Sequence, residues 1–158
     1  MHTLPAPPFK GMGKLIHIAA WAILFGLPFF FTGRESQTVT VLSYVRSMIV
    51  PLSFMLVFYA NYFVLIDHFL FAKRPWKFLL CNVVLIAASM GAVHLMFELL
   101  PHPEWEHPRP EREWQETVGF FMVNAMLYML VAGLSVAIKM TGSWYEMESS
   151  RRELEKSR

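Results

Sequence analysis

The chain has 158 residues, of which 55% are hydrophobic and only 16% are charged, and its mean hydropathy is +0.39. This composition excludes an ordinary soluble domain, in which about a quarter of the residues carry charge. The net charge of +2 gives no footprint for nucleic acid, and the single cysteine excludes an internal disulfide framework. We therefore expect an all-α membrane protein.

Four apolar runs predict four membrane-spanning helices that form one bundle, because a helix needs about 20 apolar residues to cross about 30 Å of hydrocarbon. The spans are predicted at residues 15–31, 47–66, 78–100 and 117–138. The connections are predicted as a polar loop at residues 34–43, a basic turn at 67–77 and a proline-rich loop at 101–116. We expect a cytoplasmic leader at residues 1–14, a transmembrane sensor domain at 15–139 and a cytoplasmic stalk at 140–158.

The first span has two features that distinguish it from the others. Gly26 and Pro28 are expected to loosen its far end. A signal peptide is the competing interpretation, because Lys10 and Lys14 precede the apolar run. The run ends without a small-x-small cleavage site and further spans follow, so we predict a retained helix.

Lysine and arginine predict the orientation. With the N-terminus inside, ten of them face the cytoplasm: Lys10, Lys14, Lys73, Arg74, Lys77, Lys139, Arg151, Arg152, Lys156 and Arg158. The outer side then holds four: Arg34, Arg46, Arg109 and Arg112. This asymmetry predicts that both termini are cytoplasmic.

The segment after the last span reads as a continuation of the same helix, with only Gly142 as a weak breaker. Its spacings of four and three form a heptad seam with one imperfect position: Met140, Trp144, Met147, Arg151 and Leu154. Glu148 with Arg152, and Arg151 with Glu155, are i,i+4 pairs. A single helix cannot bury its own apolar stripe, so we predict a coiled-coil stalk and a homodimer.

Polar residues inside the spans are the candidates for sensing: Asn61, Asn82, His94, Glu98 and Asn124. Such groups are costly in hydrocarbon and tend to face the bundle interior. They form either interhelical hydrogen bonds, the interpretation that we favour, or a ligand pocket or switchable layer. Glu98 is ionisable and needs a partner, for which His94, one turn away, is the expected candidate.

The proline-rich outer loop contains His102, Glu106 and His107, which are residue types that bind zinc or nickel. The two histidines are five residues apart, a spacing that matches no helical ligand pair, and four prolines favour an extended path. We favour a solvated acidic loop over a metal site. The chain has no phosphate-binding glycine loop, CxxC, HExxH or paired histidine box, so we predict no catalytic residue and no cofactor in it.

A family resemblance sharpens this interpretation. The segment at residues 59–80, in which Asn61, Tyr62, Phe63, Leu65 and Leu70 match the pattern, resembles the end of the second span and the following turn in LytS-type bacterial sensor histidine kinases. Asp67-His68 departs from that pattern, because proline and a basic residue are usual there. The stalk at 146–156 is similar to the linker that leads to the phosphorylated histidine in that family.

The resemblance implies the sensor domain of a kinase in the bacterial cytoplasmic membrane. ATP, Mg²⁺ and a LytTR-type response regulator would belong to a kinase core, which we expect beyond Arg158. No Pro-His-Phe-Leu-Phe-Asn box is present in the chain, so no catalytic residue carries over, and whether the chain belongs to an enzyme stays open. The alternative is a small transporter or channel subunit, marked by a continuous polar stripe along two helices. A metal-dependent membrane enzyme, a third possibility, lacks a ligand set.

Overall fold

The computed structural model describes residues 9–32, 40–102 and 113–158. These residues form helices and short connections without any strand, which confirms the all-α prediction for the described ranges. Helix α1 comprises Phe9–Thr32, α2 comprises Val41–Ala60, α3 comprises Pro75–Leu99 and α4 comprises Trp114–Lys156. A π-helical segment, Asn61–Leu70, continues α2 without interruption.

Three of these helices are long and apolar enough to cross a membrane. They are Val41–Leu70, which joins α2 to the π-helical segment, then Pro75–Leu99 and Trp114–Lys156. The apolar stretch of α1, Gly13–Leu27, is shorter. The chain therefore has the helices of a membrane protein.

Helix α1 differs from the prediction at both ends. It begins at Phe9, inside the predicted polar leader, because no proline follows Pro8 before the apolar run, and Gly11 and Gly13 weaken a helix without ending it. It also continues to Thr32, past the proline that we expected to loosen it. Pro51 likewise lies within α2 without ending it.

The predicted basic turn at residues 67–77 is wrong by several residues at its start. The helix continues through Asp67 to Leu70, and the Phe71 amide donates to the Ile66 carbonyl at 2.9 Å, five residues back. The chain reverses only between Phe71 and Arg74, where Lys73 adopts a φ of 59°. Pro75 then begins α3, at a position where its missing N–H costs nothing.

The chain divides into two compact units, Met1–Pro51 and Leu52–Arg158. In the first unit, α1 and α2 meet at Tyr44. Its hydroxyl donates to the Phe25 carbonyl at 3.4 Å, and its ring lies 4.8 Å from the Phe29 ring. No change in composition marks the division, which falls inside α2.

In the second unit, the π-helical segment, α3 and α4 pack against one another in pairs. The core that they enclose is small. The core residues are Val57, Ile86, Tyr128 and Ala132. Large apolar side chains cover the outer faces instead, for example Val83 on α3 and Leu130 on α4. Polar side chains inside and apolar ones outside are the arrangement that lipid favours.

Helix α4 runs through 43 residues without a break, which corresponds to about 65 Å at 1.5 Å per residue. Its last turns carry both predicted i,i+4 pairs. Arg151 Nε lies 3.2 Å from Glu155 Oε1, and Arg152 Nε lies 3.0 Å from Glu148 Oε1. The predicted helical continuation through Gly142 is therefore confirmed.

Candidate functional site

The interior of the second unit is organised in layers along the helix axes. Tyr128 of α4 bonds to Ser53, whereas Lys139 bonds to Tyr62 and Asp67, so α4 runs in the same direction as residues 52–70. Helix α3 follows the tight turn and runs the opposite way. These directions define which side chains lie at the same height.

The middle layer is apolar and consists of Val57, Ile86 and Ala132, which belong to one buried cluster. Residues three or four positions away lie on the same face, one turn above or below. One turn towards the Phe71–Arg74 connection come Asn61, Asn82 and Ser135, which we call the amide layer. One turn the other way come Ser53, Ser89 and Tyr128, which we call the hydroxyl layer.

The hydroxyl layer joins the second-unit part of α2 to α4. Ser53 Oγ and Tyr128 OH share a buried hydrogen bond of 2.6 Å. The Phe54 ring lies 4.8 Å from the Tyr128 ring and supports the same contact. Ser89 of α3 is buried at this height, and its Oγ contacts no hydrogen-bonding group of the described chain.

Each polar side chain of the amide layer donates one hydrogen bond to a backbone carbonyl of its own helix. Asn61 Nδ2 donates to the Val57 carbonyl at 2.9 Å, and Asn82 Nδ2 donates to the Phe78 carbonyl at 3.1 Å. Ser135 Oγ donates to the Ala132 carbonyl at 2.6 Å. All three side chains are buried, and both asparagine Oδ1 atoms lack a hydrogen-bond partner within the described residues.

One turn further, Lys139 of α4 holds the π-helical segment through three contacts, which we call the Lys139 clamp. Its Nζ donates to the Tyr62 carbonyl at 2.6 Å and to Asp67 Oδ2 at 3.0 Å. The same atom lies 4.7 Å from the centre of the Tyr62 ring. The Lys139 side chain is 19% exposed and that of Asp67 is 47% exposed, so the clamp lies at the edge of the core.

The clamp acts on an irregular piece of helix. Hydrogen bonds of the π-helical segment span five residues rather than four. This arrangement is rare in proteins overall, but where it occurs it is often found at functional sites. A row of aromatic rings flanks the change from α- to π-helix. The Phe58 ring stacks on Tyr62 at 5.9 Å, and Tyr59 stacks on Phe63 at 5.6 Å. Lys139 thus joins the last helix to the segment whose geometry departs most from a regular helix.

The structure separates the predicted intramembrane residues into two groups. Asn61 and Asn82 lie in the core, on one layer. His94 and Glu98 lie on an exposed face of α3, and within the described ranges they form no ion pair with each other. Asn124 is half-buried, and its Nδ2 donates to the Phe120 carbonyl at 2.8 Å. Their role in sensing stays a prediction.

The other predicted residues lie on surfaces or outside the described part. The four apolar seam positions are all exposed: Met140, Trp144, Met147 and Leu154. His102 is exposed, and Glu106 and His107 lie outside the described residues. In the described ranges, no three His, Cys, Asp or Glu side chains converge as a metal site would require.

The sequence interpretation missed the contact between Lys139 and Asp67. The sequence analysis places Lys139 after the last predicted span and Asp67 at the start of the basic turn, and it predicts no contact between them. The available signal was a pair of opposite charges at the ends of two predicted spans. Asp67 also stands where the pattern of the resembling kinases has proline. No protein-family model, curated protein or solved structure matches this chain.

Proposed function

We propose that this chain is the membrane-embedded sensor domain of a LytS-type sensor histidine kinase, and that α4 relays the signal to a cytoplasmic kinase core. One observation carries the proposal. Helix α4 extends without a break from buried core contacts at Tyr128, through the Lys139 clamp, to the ion-paired stalk. A displacement inside the bundle therefore has a stiff path to the end of the chain.

The position of the family resemblance supports the same mechanism. Asn61 and Tyr62 begin the resembling motif, and they also begin the π-helical segment that Lys139 holds. In the proposed mechanism, a stimulus repacks this segment, Lys139 follows its carbonyl and carboxylate partners, and α4 rotates or shifts. The group that departs from the family pattern, Asp67, is the acidic partner in that contact.

The exposed stalk seam fits a second copy of the chain. Met140, Trp144 and Leu154 expose between 46% and 67% of their area, beyond the apolar part of α4. Apolar side chains at heptad spacing on a water-exposed helix gain free energy when a second helix covers them. Dimerisation through this seam would place two kinase cores side by side.

The proposed topology has four spans, with α1 as the first and both termini in the cytoplasm of a bacterium. The ten-to-four distribution of lysine and arginine supports this orientation. The stalk then enters the cytoplasm, where ATP, Mg²⁺ and a LytTR-type regulator would meet the kinase core. The α1 helix of 24 residues is long enough for a span if its ends lie in the headgroup region.

Insertions into the stalk of the full-length kinase test the relay. One residue inserted near Ser149 would rotate the distal stalk by about 100° at 3.6 residues per turn. Seven residues would nearly restore the phase while lengthening the helix by about 10 Å. We expect the single insertion to lock autophosphorylation high or low and the seven-residue insertion to preserve regulation. Normal regulation in both variants would show a passive tether and contradict the relay.

The hydroxyl and amide layers favour one alternative, a small transporter or channel subunit. Five buried polar side chains line the interior of the second unit: Ser53, Asn61, Asn82, Ser89 and Ser135. The apolar layer of Val57, Ile86 and Ala132 interrupts them, so a solute path would require this layer to open. Flux into proteoliposomes above that of empty vesicles would favour this alternative over the sensor.

A further inference from the structure

The orientation of two core asparagines is fixed by their neighbours. Asn61 Nδ2 and Asn82 Nδ2 each lie within hydrogen-bonding distance of a backbone carbonyl, which can only accept. Exchanging the amide nitrogen and oxygen would place two acceptors against each other. The two Oδ1 atoms must therefore face away from these carbonyls, and both are buried without a hydrogen-bond partner in the described chain.

The third member of the amide layer offers no donor to these oxygens. Ser135 Oγ gives its single proton to the Ala132 carbonyl, so it can only accept further bonds. Ser135 and Asn61 are both 0% exposed, and Asn82 is 7% exposed. The amide layer thus presents two buried amide oxygens without a partner in the described chain, between the π-helical segment, α3 and α4.

We propose that Asn61 and Asn82 together bind a water molecule in this layer. Water has two protons to donate, one for each Oδ1 atom, and buried waters usually bond to polar groups that lack protein partners. A metal cation would also suit oxygen ligands. However, Ca²⁺ and Mg²⁺ each take about six oxygen ligands, whereas the amide layer offers two unpartnered amide oxygens and one serine hydroxyl. Water needs only these few partners, so we assign the bound molecule as water.

The water would join the π-helical segment to α3, a contact that the direct hydrogen bonds of the amide layer do not supply. Those bonds each stay within one helix. A bridging water can be lost or moved without breaking them. This inference does not depend on the proposed kinase function, because its tests measure stability and hydration rather than phosphorylation.

A double-mutant cycle tests whether the two asparagines share one ligand. Asn61→Leu and Asn82→Leu replace each amide by an apolar group of similar size. We expect each single variant to lower the Tm by several degrees. The Tm decrease of the double variant should be clearly smaller than the sum of the two single decreases. The reason is that the second substitution costs little once the water is gone. Asn124→Leu is the matched control, since Asn124 makes the same bond four residues back, and it should combine additively with Asn61→Leu. Additive losses for Asn61 and Asn82 would overturn the shared site.

Hydration is measured directly on the unmodified chain in nanodiscs, so the proposal stays testable if a variant does not fold. Magnetisation transfer from water to the side-chain amide protons of Asn61 and Asn82 is expected at a rate typical of a bound water. Absence of that transfer would overturn the proposal.

A salt comparison separates water from sodium. Exchange of sodium chloride for choline chloride at equal ionic strength should leave the Tm unchanged. A saturable rise in Tm with sodium that disappears in Asn61→Leu would identify sodium as the ligand and overturn the assignment of water.

Discussion

Lys139 combines three interactions of unequal strength in one side chain. The ion pair with Asp67 is half open to solvent, and such pairs contribute about 0–1 kcal/mol. The hydrogen bond from a charged donor to the Tyr62 carbonyl is expected to contribute about 1.5–3 kcal/mol, and the cation–π contact about 0.5–1 kcal/mol. The backbone contact, rather than the ion pair, is therefore the larger part of the clamp.

Two substitutions distinguish these contributions. We expect Lys139→Met to lower the free energy of unfolding by about 2–5 kcal/mol, because it removes all three contacts. Asp67→Asn should cost less than about 1 kcal/mol, because the Tyr62 contacts remain. Equilibrium unfolding in mixed detergent micelles measures both, and exposed Lys156→Met serves as the control. Equal losses for Asp67→Asn and Lys139→Met would show that the ion pair alone accounts for the clamp.

At the residue scale, the sequence predicts the position of a residue along a span better than the side of the helix on which it lies. Asn61, Asn82 and His94 could all be placed within spans by hydropathy, yet only the two asparagines lie in the core. Helix α3 is apolar on every face, so its residue pattern does not indicate which side meets other helices. The clamp joins Lys139 to a residue 77 positions earlier, a contact that no local pattern reveals.

At the scale of elements, α4 includes both the predicted last span and the predicted stalk, and its continuity was predictable. No proline occurs between Trp114 and Lys156, and a lone glycine weakens a helix without ending it. The π-helical segment was not predictable, because its residues follow the same apolar pattern as an α-helix. Bonds that span four or five residues differ in backbone geometry, which hydropathy does not sense. The start of the turn was misplaced for the same reason.

Substitution of Gly142 tests the stiffness of α4. A Cβ at this position would meet no atom within 4 Å, so Gly142→Ala should stabilise the helix by about 0.5–1 kcal/mol. Gly142→Pro removes a backbone hydrogen bond and should cost about 3 kcal/mol. Far-UV circular dichroism and thermal unfolding measure both changes.

In the proposed full-length kinase, Gly142→Ala should keep regulation and Gly142→Pro should uncouple output from stimulus. Gly133→Ala, equally unobstructed, is the control inside the span. Normal regulation in Gly142→Pro would contradict a stiff relay.

At the scale of the whole molecule, composition correctly predicted helices long and apolar enough to cross a membrane. Lipid favours polar groups inside a bundle and apolar groups outside, the reverse of the usual arrangement in water. Apolar side chains cover the outer faces of α3 and α4, and serine and asparagine lie inside. The number of helices that cross the membrane is a different question. Three are long and apolar enough by themselves, whereas the apolar stretch of α1 is shorter. The prediction that α1 is an additional span therefore rests on the charge distribution. Experiment can test it.

Reporter fusions test this topology. The ten-to-four charge distribution predicts that the C-terminus and the turn at Lys73 are cytoplasmic and that residues near Pro108 lie outside. Alkaline phosphatase folds into an active enzyme only outside the cytoplasm, because it needs disulfides. We expect it to be active when inserted near Pro108 and inactive when fused after Arg158. A fluorescent protein that folds only in the cytoplasm should give the opposite pattern, which controls for expression.

If α1 does not cross the membrane, the N-terminus alone changes side, so a fusion before Met1 isolates that span. Phosphatase activity after Arg158 would place the stalk outside the cell and contradict the relay to a cytoplasmic kinase core.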